Sequence, residues 1–498
     1  MRNARLRNDR PRPIVENREE YHSIVRYLVL LLVWLVPTAA RTDTLPSLGD
    51  PSQTVLSPAQ ERQLGESIMR QIRAAKEYVD EPEITDYING LGYRLVAVSP
   101  DAQQRFEFFV IEDNTINAFA LPGGFIGVHT GLIRAAETES EVASVLAHET
   151  AHVTQRHIAR LFQQQQQAGL ASLAAIAVAI LAARASPDLA AAAMAGAQYA
   201  TLQTGLNFTR ENEREADRIG VQILEKSGFD PRAMPAFFDR LQRAYRVYDT
   251  NAPAYVRTHP LTYERIADVQ GRVDALPYRQ VPDSPEFQFL RARLQQEQYA
   301  PRDAVAHFEN ILDEKRTINE SAARYALVLA LLRTQDFQRA RAQAERLQAD
   351  VPNSAMVATL MGRVRTQSGD LKGALQTYAE AVERFPRYRA LYYDRARLLL
   401  DTKQPAAALN TLGQVMRFSP PDARLYRMQA EAYARLGQKL QEHRAQAEAY
   451  LLMGSLPAAI EQLQMGLHAG DGDYYQQSSA EARLRELRSA DSEARKRR

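Results

Sequence analysis

The sequence predicts a mainly helical α+β chain in two parts, a helical domain built round a small sheet and then an all-α solenoid. Three observations predict it. Apolar residues recur at three- and four-residue spacing through much of the chain, and two short β-rich runs, Phe106–Ile111 and Phe125–His129, interrupt that pattern early. Beyond residue 285 the landmarks repeat: Pro352, Pro386 and Pro420 stand 34 apart, as do Ala340, Ala374 and Ala408. A chain of 498 residues is long for one domain and has ample capacity for a core. Its 62 Lys+Arg against 60 Asp+Glu leave a formal charge of +2, so no bulk field argues for a nucleic-acid partner. Zero cysteines exclude disulfides and thiol catalysis and leave His and carboxylates as protein metal ligands.

In chain order, residues 1–40 read as a signal peptide: Arg2, Arg5, Arg7, Arg10 and Arg12 precede the apolar core Tyr27–Val36, and Pro37-Thr38-Ala39-Ala40 offers a cleavage point. The apolar core is too short to span a bilayer by itself. Export by cleavage is the expectation, and retention as an uncleaved inner-membrane anchor is the alternative. Residues 41–280 follow as the first domain. From Ser57 to Ala97 the pattern is helical, with Leu64, Ile68, Ile72 and Ala75 on one face and Ser57-Pro58 placed to cap and open it. The two β runs are separated by Asn117, Ala118, Phe119, Ala120 and the Pro122-Gly123-Gly124 turn. Asn117 to Leu121 is the candidate edge on which an extended peptide would add as a strand; an interior strand is the other reading.

A run without Pro or Gly from Glu139 to Arg160 predicts one helix, and it carries His148-Glu149-Thr150-Ala151-His152. Histidines four apart lie on one helix face and both reach a single cation, while Glu149 is placed to take a proton from water rather than to bind metal. A second helix begins at Glu211, and its Glu213 and Asp217 share a face. Glu213 could complete a His-His-Glu set with Asp217 behind it, or both could belong to an ordinary charged face. Neither His129 nor His157 reads as a ligand, since His157 stands five residues after His152 and faces another side of a continuous helix. Between the two helices, 168–183 is almost wholly small and apolar and, at sixteen residues, falls short of a comfortable transmembrane helix, and a second Ala-rich piece follows; 168–197 reads as a buried or interfacial hairpin, with peripheral membrane contact as the expectation. Asn251 to Pro260 reads as a Pro-interrupted loop ending at His259.

After the proline-bearing linker Pro277–Pro285, residues 281–485 carry the 34-residue period of tetratricopeptide helix pairs, with Tyr378, Phe385 and Tyr392 at packing positions. Gly454-Ser455-Leu456-Pro457 restarts the phase early, and 486–498 reads as a charged, frayed tail.

H-E-x-x-H followed about sixty residues later by E-x-x-x-D resembles the gluzincin zinc metallopeptidases of the CAAX prenyl protease/HtpX/BepA family. Asn117–Gly124, Val128-His129-Thr130-Gly131-Leu132 and Arg257–Arg265 match it too, so the resemblance covers roughly 56–275. It implies a zincin-like fold with one zinc ion per chain bound by His148, His152 and Glu213, Glu149 as general base and Asp217 as a supporting partner. It also implies a role for His259 over the metal, either as a gate or as an oxyanion stabiliser. The expected protein is a periplasmic zinc endopeptidase that hydrolyses misfolded or unassembled envelope proteins. Its repeats would engage the outer-membrane assembly machinery, with chaperone activity. The rival is a non-proteolytic chaperone or assembly adaptor with a latched or structural metal site.

Overall fold

Residues 56–100, 104–164, 209–247, 254–314 and 319–496 are described by the computed structural model. The expected signal peptide and the Ala-rich segment 168–197 lie outside them. Among the described residues, no helix is long and apolar enough to cross a membrane.

The first domain opens with α1 (Pro58–Ala74), whose N-terminus carries the expected cap: the Ser57 side chain accepts from Gln60 N while the Gln60 side chain reaches back to Ser57 N. The predicted helical stretch is two helices, α2 (Pro82–Val96) following a break. Strands β1 (Glu107–Ile111), β2 (Ala118–Leu121) and β3 (Phe125–His129) form one sheet in the order β1-β3-β2. β1 runs parallel to β3 with Glu107 opposite Phe125, and β2 runs antiparallel to it with Ala118 opposite Val128.

The two sheet edges are treated differently. Along β1, the Asn89 amide donates to Phe108 O (2.8 Å) and accepts from Phe108 N (3.2 Å), the Tyr93 hydroxyl donates to Phe106 O (2.9 Å), and Val79 N donates to Val110 O (3.0 Å). These groups occupy the positions a further strand would use, which closes that edge to pairing. No strand among the described residues pairs with the outer side of β2. The candidate edge segment therefore lies at a sheet edge rather than inside.

The short α3 (Thr130–Ala135) leads to α4 (Glu139–Thr154), all of whose residues are buried. Helix α4 packs against β2, α2, α6 (Arg210–Ser227) and α7 (Ala233–Val247). Its end corrects the sequence expectation: the run to Arg160 is not one helix. Arg156 adopts a positive φ of 53°, and α5 (His157–Gln164) starts afresh. The buried Arg156 guanidinium donates to Leu56 O at 2.6 Å and lies 3.4 Å from Glu61, so contacts to the start of α1 hold a backbone conformation that a non-glycine residue rarely adopts. The expected loop around His259 is also partly helical, with α8 (Ala254–Thr258) before it and α9 (Tyr263–Asp274) after it.

Beyond the linker, α10 (Pro285–Gln296) turns Phe287, Leu290 and Leu294 into the first core and Phe289 and Ala292 into that of the solenoid. Helices α11 (Pro301–Asp313), α12 (Glu320–Arg333), α13 (Phe337–Asp350), α14 (Ala355–Gln367), α15 (Leu371–Arg384), α16 (Arg389–Asp401) and α17 (Pro405–Val415) continue it. The array ends with α18 (Ala423–Arg435), α19 (Lys439–Leu452), α20 (Leu456–His468) and α21 (Tyr474–Lys496). Pro352, Pro386 and Pro420 fall between helix pairs, as the repeat predicts. The charged 486–498 stretch, expected to fray, continues α21 to Lys496.

The solenoid curls back on α1 and α2. Glu83, fully buried, accepts from Arg293 Nη1 (2.9 Å), Arg363 Nη1 (2.8 Å) and the Tyr388 hydroxyl (3.3 Å). Arg389 pairs with Asp86, Arg427 with Asp80 at 2.9 Å, and Gly454 packs on the Arg70 side chain. Glu83→Ala leaves Arg293 with Glu81 and Glu297 and Arg363 with Asp394, but it removes the buried acceptor that joins them to Tyr388, so it should cost about 1–3 kcal/mol, read as a lower midpoint in urea unfolding of the full chain.

Candidate metal centre

Two helices and a turn converge to build the site. Helix α4 presents His148 and His152 one turn apart, and α6 crosses it closely because Gly220 has no side chain: a Cβ there would stand 3.3 Å from His148 N. Thr209 caps α6 by accepting from Asn212 N. That crossing sets Glu213 and Asp217, one turn apart, beside the His148 ring. His259 follows α8, its N–H bonded to Tyr255 O at 2.8 Å, and Tyr255 N bonds Ile116 O at 3.2 Å, tying this turn to the loop that leads into β2.

His148 Nε2 lies 3.0 Å from His152 Nε2 and 3.4 Å from Glu213 Oε2, and His152 Nε2 is 3.4 Å from Glu213 Oε1. His259 Nδ1 stands 3.0 Å from Glu213 Oε1 and 3.4 Å from His148 Nε2, while its Nε2 is 3.5 Å from Glu149 Oε1. The donor atoms of His148, His152, Glu213 and His259 all lie within 4.8 Å of one another, and all four residues are buried. A tetrahedral zinc ion with bonds of about 2.0–2.2 Å sets its ligand atoms ~3.4 Å apart, so spacing and donor chemistry both fit a divalent cation of this kind. Asp217 Oδ1 stands 3.0 Å from His148 Nδ1, which favours the proton on that far ring nitrogen and leaves the Nε2 lone pair to the cluster.

Arg265 ties the carboxylates together. Its Nε and Nη2 each donate to Asp217 at 2.8 Å, and Nη1 stands 2.7 Å from Glu213 Oε2 and donates to Pro260 O at 2.8 Å. Asp217 is held below the usual carboxylate range: burial opposes ionisation, but the hydrogen bonds from His148 and Arg265 outweigh it. Glu213 is held well below that range, since three imidazoles overcome its burial. Burial pushes Glu149 up, the nearby imidazoles oppose this, and the Ala120 backbone also favours the carboxylate. For His148, burial works against protonation, yet hydrogen bonds to Asp217 and Glu213 push it up to about 9. Burial, helped by the neighbouring His148 and His259, holds His152 well below its ordinary value.

The sequence-predicted His148, Glu149, His152, Glu213, Asp217 and His259 thus meet in one buried cluster. His129 stands apart, its Nδ1 2.9 Å from the Thr115 hydroxyl, as expected of a structural histidine. Three residues were given no role by sequence. Arg265 lay inside the matched Arg257–Arg265 stretch, which was its signal. Tyr255 stacks on His259 with ring centroids 4.8 Å apart, its buried hydroxyl without a hydrogen-bond partner among the described residues. His157, expected to face away, has its Nδ1 2.9 Å from His152 Nδ1. Burial lowers it to about 4, so its ring is neutral at neutral pH.

In the metal-free protein, His148 stabilises the fold fully below its unfolded value of about 6.5, and that contribution is lost as pH rises toward about 9. Urea midpoints of metal-free protein should fall across that window. Zinc-loaded protein should lack this component, because a liganding imidazole carries no proton on the bound nitrogen.

Residues 83–273 match peptidase family M48, and residues 295–364 and 365–432 match a tetratricopeptide repeat. The beta-barrel assembly-enhancing protease of Escherichia coli (strain K12) is 34% identical over 459 residues, covering 90% of this chain and 92% of its own length. That of Yersinia pestis is 34% identical over 421 residues, 84% of this chain and 86% of its own. The mitochondrial metalloendopeptidase OMA1 of Schizosaccharomyces pombe is 34% identical over 199 residues, 40% of this chain and 54% of its own.

Proposed function

This chain belongs to peptidase family M48 and is a metalloendopeptidase with tetratricopeptide repeats; from that premise we propose that it is a periplasmic zinc endopeptidase acting on misfolded or unassembled envelope proteins. The observation that carries the chemistry is the convergence of His148, His152 and Glu213 with Glu149 and His259 in one buried cluster. His148, His152 and Glu213 would hold one zinc ion, which when bound supplies the Lewis acidity that acidifies water and polarises a scissile carbonyl. Glu149 takes the proton from the attacking water and passes it to the leaving amine; burial raises its basicity for the first step.

Substrate enters along β2. Asn117 O accepts from His129 N, so alternation turns the N–H and C=O groups of Ala118 and Ala120 toward the outer edge. The Ala120 backbone is near enough to Glu149 to favour its ionised form. A peptide that adds to this edge therefore runs before the general base, with Asn117, Ala118, Phe119 and Ala120 as its pairing segment. Asp217 and Arg265 orient the ligands. By kinship with the beta-barrel assembly-enhancing proteases, the repeats engage the outer-membrane assembly machinery and assist assembly as well as degradation. The Ala-rich segment 168–197 remains our candidate for client or peripheral membrane contact.

Of the two roles for His259, the geometry favours the gate. Its ring nitrogens sit against Glu213 and Glu149, where a fourth ligand and the attacking water compete for space. His259→Ala should raise turnover of an unfolded protein at equal zinc occupancy. A loss of roughly 10²–10³ would instead assign oxyanion stabilisation, and no change would leave it neither role.

Glu149→Gln should abolish cleavage and keep stoichiometric zinc, while His148→Ala, His152→Ala or Glu213→Ala should lose both. Full zinc in the Glu213→Ala protein would remove that residue as a ligand. Client assembly retained by Glu149→Gln would separate an assembly role from proteolysis, and cleavage retained by it would sink the general-base assignment.

A further inference from the structure

We infer that His157, backed by Glu215, is a positioning residue that sets the tautomer of His152 and thereby points the His152 Nε2 lone pair at the metal position. The inference rests on His152 being a metal ligand.

In a continuous helix His157 would face away from His152. The break at Arg156, φ 53°, starts a new helix and carries the fully buried His157 ring back, with Nδ1 2.9 Å from His152 Nδ1. On its other side, His157 Nε2 stands 3.2 Å from Glu215 Oε2, which also takes Arg160 Nη1 at 2.9 Å.

The proton positions follow from what each partner can do. An ionised carboxylate only accepts, so His157 Nε2 carries the hydrogen. The neutral ring then has its lone pair on Nδ1 and must accept from His152, which places the His152 proton on Nδ1. His152 Nε2 is left as a bare lone pair, 3.4 Å from Glu213 Oε1 and 3.0 Å from His148 Nε2. The opposite tautomer would turn an N–H into the cluster and repel a cation. Asp217 performs the same service for His148 directly, at 3.0 Å. His152 receives it through a second imidazole, with Glu215 lying between Glu213 and Asp217 on α6.

The test is zinc affinity of the full chain by competition with a chelator, with cleavage recorded separately. His157→Ala should weaken zinc binding about 10–100-fold. His157→Asn keeps an acceptor near the place of Nδ1 and should recover most of that loss, whereas His157→Gln keeps a group only near Nε2 and should not. Glu215 is partly exposed, so Glu215→Ala tests the same link without emptying the core, and a several-fold loss is expected. Wild-type affinity in a folded His157→Ala protein, or equal recovery by Asn and Gln, overturns the inference. If His157→Ala does not fold, unchanged affinity in Glu215→Ala overturns it instead. Failure of the wild-type chain to bind zinc would refute the metal reading itself; zinc binding by the wild type and all the variants alike would refute only the role of His157.

Discussion

The grip of Arg265 on Asp217 and Glu213 is the interaction on which the site depends. Three carboxylates and three imidazoles are packed within one buried volume, where unpaired charge is costly. One planar guanidinium meets Asp217 with two parallel hydrogen bonds and Glu213 with a third contact, a geometry an ammonium group could not supply. It helps to keep Asp217 ionised beside His148, while the three imidazoles do the same for Glu213. The same arginine carries a bond to Pro260 O, beside His259. The carboxylate behind His148 and the turn that holds His259 are thus tied to one side chain on α9.

A second constraint acts at the far end of the metal helix. Arg156 holds a left-handed backbone conformation because its guanidinium is tied to Leu56 O and Glu61 at the start of α1. Without that turn α4 would run on, and His157 would face the wrong way. The site is therefore held from three directions, by α9, by the start of α1 and by the closely packed α6.

The solenoid belongs to the same frame. Glu83 opens α2, and α2 packs on α4; its carboxylate gathers an arginine from α10, another from α14 and the Tyr388 hydroxyl before α16. Helix α10 serves both cores at once, one face to each. The sheet is likewise biased to one use. Asn89 and Tyr93 close the β1 edge, so the outer side of β2, which packs on α4, is the edge without a strand partner among the described residues.

Much of this was legible in the residues themselves, because local rules govern it. Histidines four apart share a helix face wherever the helix lies, and the same holds for Glu213 and Asp217; Ser57-Pro58 caps α1, and a 34-residue period stacks helix pairs. What only the tertiary structure decided depends on contacts between residues distant in sequence. No spacing rule tells that α6 crosses α4 at Gly220, that Arg265 reaches both acids, or that the Glu83 carboxylate waits for arginines more than two hundred residues away. His157 is the clearest case: helical periodicity placed it on the wrong side, and a turn held from the start of α1 placed it against His152. The sequence by itself thus determined which groups the chain carries and which share a face, since hydrogen bonds along one helix do that work. Where those faces meet, and which proton each imidazole keeps, was decided by long-range packing and the pairing of buried charge.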